Sequence, residues 1–191
     1  MSSCETLLAS LRSGTPHQTL AGLYALDGSA DSLDRARARA IRVAEGFQTA
    51  FDPDGQADAA LFSGPGRTEI GGNHTDHQHG CVIAAAVDMT TTAEVTLNGT
   101  NVIRVDSEGY RPVEIDLGDL NAKESERNTT AALIRGVAAA FAQRGYKLAG
   151  FDAKGEVHGA AGFRPLQLGS VRSPDRPHPE RPVRRQCGFR H

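Results

Sequence analysis

The chain has 191 residues and a formal net charge of −2, with 23% charged and 39% hydrophobic residues. That balance is typical of a globular protein with one domain, with or without appendages, and it excludes a wholly disordered chain. No apolar run approaches the ~18–20 residues that cross a bilayer, and Met1-Ser-Ser-Cys-Glu5 lacks a basic stretch leading into an apolar one, so neither membrane nor secretory sequence is expected.

Cys4, Cys81 and Cys187 are too far apart for a metal knuckle and too few to pair completely, which fits a reducing, cytoplasmic setting. Charge is unevenly spread. Val171 to His191 holds six arginines against Asp175 and Glu180, a balance of +4, so residues 1–170 carry −6.

Residues 1–55 read as an N-terminal helical segment. Within it Ser32 to Phe51 is rich in helix formers, opens on a Ser or Asp cap and stops at Asp52-Pro53. Leu61-Phe62 begins a strand that runs into a glycine-rich segment. Beyond it Val82–Val87 and Thr90–Asn98 read as consecutive strands. The alternating run Val102–Ser107 follows Asn98-Gly99, a hairpin signal, and Val113–Leu117 alternates again. Asn128–Arg144 carries Leu133, Ile134, Val137 and Phe141 at helical spacing and ends at Gly145, and Phe151–Val157 returns as a strand. The expected class is α+β, a mostly antiparallel sheet with packed helices over residues 56–162. From residue 163 onward proline and arginine dominate without any period, so 163–191 is expected to be a disordered tail.

The chemistry concentrates in Gly64-Pro-Gly-Arg-Thr-Glu-Ile-Gly-Gly-Asn-His-Thr-Asp-His-Gln-His-Gly80, with five glycines and three histidines between two apolar runs. Glycines let backbone approach a ligand closely, so polar side chains between them can converge on one small molecule. One reading is a tight connection with solvated histidines. A second is a metal site from His74, Asp76, His77 and His79, whose nitrogen and oxygen donors suit zinc or iron. A third is a sugar site, in which carboxylate and imidazole hold hydroxyls and a guanidinium stabilises charge at a reacting hydroxyl. A phosphate-binding P-loop is excluded because Gly-Lys-Ser/Thr is absent.

Pro65-Gly-Arg-Thr-Glu-Ile-Gly-Gly-Asn-His-Thr-Asp-His77 resembles the galactokinase signature, usually Pro-Gly-Arg-x-Asn-x-Ile-Gly-Glu-His-x-Asp-Tyr. The register from Arg67 to His74 and Asp76 is kept. The Val82–Val87 run and the Asp106-Ser-Glu-Gly-Tyr110 turn are also similar to this branch of the GHMP small-molecule kinases. The resemblance covers roughly residues 20–162. It implies an incomplete N-terminal kinase domain of the ribosomal S5 domain 2-like type. It further implies ATP- and Mg-dependent phosphorylation of the C1 hydroxyl of D-galactose in the cytoplasm, with a small-molecule sugar as partner and neither nucleic acid nor membrane. By the same resemblance Arg67 is catalytic, near the transferred phosphoryl group, while Asn73, His74, Asp76 and His77 bind sugar. Asn73 stands where glutamate is usual, His77 where tyrosine is usual, and Glu69 where asparagine is usual.

The family's nucleotide loop resembles Pro-x-Gly-x-Gly-Leu-Ser-Ser-Ser-Ala. Here Glu156-Val-His-Gly-Ala-Ala-Gly162 approaches it and then departs into Phe163-Arg-Pro-Leu-Gln-Leu168. If those six residues were read from TTT-CGT-CCT-CTG-CAG-CTT after a glycine codon ending in C, reading one base earlier gives Leu-Ser-Ser-Ser-Ala-Ala. The expectation is a galactokinase whose reading frame slipped near Gly162, inactive because it lacks the phosphate cradle and the catalytic aspartate. The alternatives are a non-catalytic sugar-binding or regulatory module, a metal-dependent hydrolase built on the histidines, and a nucleic-acid-binding arm in the tail.

Overall fold

The computed structural model describes residues 2–14, 17–24, 29–72 and 81–157. In order these form β1 (Ser2–Ser3), α1 (Cys4–Ser13), α2 (His17–Tyr24), α3 (Ala30–Phe51), β2 (Asp58–Gly71), β3 (Ile83–Leu97), β4 (Val102–Ser107), β5 (Val113–Asp116), α4 (Thr130–Gln143) and β6 (Phe151–Val157). The six strands make one sheet, ordered β1-β2-β3-β6-β4-β5. Every pairing is antiparallel except β4 with β6. The α+β class expected from the sequence is the one observed. The tail, 163–191, lies outside the described residues.

Each α-helix whose cap is described starts on a hydroxyl that satisfies a free backbone N–H of the first turn. Ser3 accepts from Thr6, Ser29 from Ser32 and Thr129 from Ala132. The cap of α3 is therefore Ser29. Ser32, read from the sequence as its opening, instead donates its amide to that cap. One stripe of α3 (Leu33, Ala36, Ala40, Val43, Ala44, Phe47) is buried, and its small residues let the helix lie close to the sheet. With Cys4, Leu8 and Leu11 of α1, Leu20 of α2 and Ala59 of β2, most of that stripe forms the first core.

The second core lies under α4, where Ile134 meets Ile103, Val105, Ile115 and Ala153. The buried positions of α4 are Ile134, Arg135 and Ala138, whereas Val137, one of the four apolar residues at helical spacing, is exposed. Apolar spacing alone does not show which flank of the stripe meets the sheet. Arg135 is tolerated inside because its Nε and Nη2 donate to both carboxylate oxygens of Glu126 (2.8 and 2.7 Å), and its Nη1 donates to the Asp119 carbonyl.

Two further expectations are corrected. The runs expected at Val82–Val87 and Thr90–Asn98 merge into a single strand, β3 (Ile83–Leu97), because a register shift opposite Pro65/Gly66 absorbs the irregularity between them. Asn98-Gly99 does not close a hairpin onto Val102–Ser107, since β6 lies between β3 and β4. Gly150 enters that corner, donating to the Thr100 carbonyl (3.0 Å) and accepting from the Asn98 amide (3.2 Å). A Cβ at Gly150 would lie 2.5 Å from the Thr100 oxygen. The short connection therefore turns around the start of β6 instead of folding back on itself.

Candidate functional site

The glycine-rich segment is less of a loop than its composition suggests. Gly64 to Gly71 is strand, the distal half of β2, paired with β3. Among the described residues the third strand, β6, pairs with β3 from Thr91 to Leu97, and from there to Ile83 β3 pairs with β2 as a two-stranded ribbon.

One glycine of this ribbon is sterically required and another is tightly enclosed. A Cβ at Gly66 would lie 3.0 Å from the Met89 carbonyl oxygen, a close contact. Gly72 has φ +79°, and a Cβ there would lie 2.2 Å from the Cys81 carbonyl oxygen. Gly72 and Cys81 thus sit in contact where the strands end.

Arg67 points from the ribbon with 55% of its side chain exposed, and its Nη2 lies 3.6 Å from Glu69 Oε1. Residues two apart share a strand face, which is why these two meet. Opposite them on β3 stand Ala86 and Ala84. Ile70, Val82 and Ile83 expose apolar surface on the same ribbon. Asn73, His74, Asp76 and His77, the proposed sugar contacts, lie outside the described residues, as does His79 of the metal reading. Of the sequence-derived site the structure therefore describes Arg67 and its immediate neighbours. Among the described residues no group of His, Cys, Asp and Glu could hold a metal ion.

An ATP–magnesium complex needs free backbone amides in a glycine-rich loop at a helix N-terminus. Among the described residues the capped helices α1, α3 and α4 close on their own Ser3, Ser29 and Thr129 hydroxyls, and none follows such a loop. The stretch from Glu156 to Leu168, where the resemblance expects that loop, lies outside the described residues after Val157. Among the described residues none forms such a phosphate cradle, and no step through the nucleotide is derived.

Sequence reading missed a buried polar row on β3. Thr90, Thr92, Glu94 and Thr96 alternate along one face and are all buried, with Glu94 fully enclosed. Thr96 Oγ1 donates to the Asp58 carbonyl (2.7 Å), while Thr90 Oγ1, Thr92 Oγ1 and both Glu94 oxygens make no hydrogen bond. Burial pushes the Glu94 carboxyl up to about 7, opposed by the neighbouring Cys4 thiol and reinforced by the charge of Asp52. The alternation Thr-x-Thr-x-Glu-x-Thr was visible in the sequence, but it reads there as a solvated face.

The family described as "Galactokinase galactose-binding signature" matches residues 45–97, which span the end of α3, β2 and β3. The galactokinase of Lactococcus lactis subsp. cremoris (strain MG1363) is 31% identical over 108 residues, 53% of this chain and 27% of that protein. The galactokinase of Bacillus subtilis (strain 168) is 33% identical over 109 residues, 54% of this chain and 27% of that protein. The chain thus spans about a quarter of the length of these curated relatives. The crystal structure of Lactococcus lactis galactokinase complexed with galactose superposes with a TM-score of 0.53 at 24% identity, covering 61% of this chain and 30% of that one, and shows a shared fold. Among the described residues no helix is long and apolar enough to cross a membrane. The chain carries the galactokinase galactose-binding signature and, over about half its length, is a relative of the galactokinases.

Proposed function

We propose that this chain is the galactose-recognising portion of a galactokinase-type sugar kinase. The observation that carries the reading is the coincidence of the galactose-binding signature, residues 45–97, with the ribbon that bears Arg67. In this reading Asp76 and His74 hold adjacent sugar hydroxyls, and Asn73 and His77 supply neutral hydrogen bonds where the family pattern has glutamate and tyrosine. Arg67 supplies positive charge beside the C1 oxygen, where a phosphoryl group is transferred. A saturable calorimetric signal with D-galactose that disappears in Asp76→Ala supports this assignment; a signal of equal size in the variant contradicts it.

The same reading divides the chain into a helical segment (1–55), a partial sugar-kinase domain (56–162) and an out-of-frame tail (163–191). ATP and magnesium belong to the complete enzyme, and the polypeptide as written is inactive because the serine-bearing phosphate loop is replaced after Gly162. Phosphoryl transfer depends on positioning and charge stabilisation, and losing the cradle removes both. Galactose-dependent ATP turnover above background in a coupled assay would sink that conclusion. Resequencing the codons for Gly159 to Ser170 tests its cause: a one-base correction opens a frame reading Gly-Leu-Ser-Ser-Ser-Ala-Ala, or the frame stands and the tail is native.

A further inference from the structure

We propose that Glu69 is a positioning residue that acts through Arg67, holding its guanidinium as an internal counter-charge and weakening the hold of this ribbon on phosphate-bearing anions. The inference rests on the reading that Arg67 faces a phosphoryl group, and it assigns a consequence to the acid that stands in place of the family's neutral asparagine.

Three observations carry it. Glu69 Oε1 lies 3.6 Å from Arg67 Nη2, and Glu69 is the more enclosed partner, with 23% of its side chain exposed against 55% for Arg67. The guanidinium is thus the member of the pair that an anion in solvent meets first. The directly paired cross-strand neighbours, Ala86 and Ala84, carry no polar atoms in their side chains and so do not compete for either group. The guanidinium is also more than half open, with 55% of the Arg67 side chain exposed, so a ligand can approach it from solvent.

An anion reaching Arg67 therefore meets a carboxylate already there. It must displace Glu69 or bear its repulsion. Two unit charges about 4 Å apart in water interact strongly enough to change binding about fivefold, and salt reduces the effect. Replacing Glu69 by a neutral residue of the same shape removes the competitor without removing the cation.

The test titrates inorganic pyrophosphate, a probe with no sugar, into the full chain and into Glu69→Gln, Arg67→Gln and the double variant at low salt. Both residues lie partly exposed on the ribbon, so all four proteins are expected to fold, which circular dichroism checks. The expected result is about fivefold tighter binding in Glu69→Gln, no such gain when Arg67 is also replaced, and a shift of the Arg67 Nε–H resonance in Glu69→Gln before ligand is added. Equal affinity of Glu69→Gln and the parent chain overturns the proposal, and so does a gain that survives in the double variant. A parallel titration with D-galactose separates the two readings. Loss of galactose binding with the pyrophosphate coupling intact defeats the sugar-site reading alone, whereas galactose binding without the coupling defeats the proposal alone.

Discussion

The Cys4 thiol and the Glu94 carboxyl face each other between α1 and β3, both fully buried; the carboxylate disfavours the thiolate, whereas the thiol favours the carboxylate. Burial and the nearby Glu94 carboxylate push the thiol up to about 12. The thiol itself lies 3.9 Å from the Ala44 carbonyl oxygen, its acceptor on α3. Asp52, at the end of α3, adds negative charge while its own oxygens accept from the amides of Gln56 (3.2 Å) and Ala57 (3.0 Å). Lys154, directly across the strand pair from Glu94, is drawn away to Asp106 at 2.7 Å.

Glu94 therefore makes stability fall with rising pH. Its folded pKa, about 7, lies above the ordinary glutamate value of about 4.3. Its contribution is complete below the ordinary value, declines between the two and is lost above the folded value. Glu94→Gln, a neutral isostere, is expected to stabilise the protein at pH 8 by on the order of 2 kcal/mol and to have little effect near pH 4. Urea midpoints at both pH values check this. A difference between the two proteins that does not change with pH contradicts it.

The glycines of the ribbon divide into required and replaceable. Gly64 and Gly71 have open space where a Cβ would go, a Cβ at Gly66 would be in tight contact with the Met89 carbonyl, and a Cβ at Gly72 would strike the Cys81 carbonyl. Gly64→Ala is expected to change stability by less than about 0.5 kcal/mol, and Gly72→Ala to cost about 2 kcal/mol or more, because it adds a clash to a left-handed backbone. Thermal melts of the two variants give the ordering directly; equal melting temperatures would contradict it.

Asn98 ties the β3–β4 crossover to β6. Its Nδ2 donates to the Val102 carbonyl (3.0 Å) and to Asp152 Oδ1 (2.7 Å), while its Oδ1 accepts from the Thr100 amide (3.0 Å). Asn98→Ala leaves those groups without this partner and is expected to cost about 1–3 kcal/mol. Gly150→Ala is expected to cost more, since its Cβ would collide with two carbonyl oxygens. Urea denaturation of both variants tests that order.

Much of the fold is legible in the sequence where a single period governs a segment. Val102–Ser107 and Phe151–Val157 read as strands with the bounds observed, and α3 and α4 end within a residue or two of expectation. What is not legible depends on contacts across the sheet. Asn98-Gly99 carries a strong local hairpin signal, yet a strand arriving some fifty residues later, β6, takes the position that signal implies for β4. Glycine and proline in Gly64–Gly71 suggest a loop, but backbone pairing to β3 outweighs their low strand preference. The signature around Arg67 was readable because its residue types and spacing are chemically specific. Its pairing with Glu69 becomes visible only once that stretch is known to be strand.

The most direct test of the account is an NMR titration of the isotopically labelled full chain with D-galactose and, separately, D-glucose, carried into the tens of millimolar so that weak binding registers. The account predicts saturable shifts confined to the amides of residues 64–80, larger and at lower concentration for galactose, and abolished in Asp76→Ala. Shifts that are absent, scattered over the whole chain, or unchanged in Asp76→Ala would contradict the claim that this ribbon and its connection recognise the sugar.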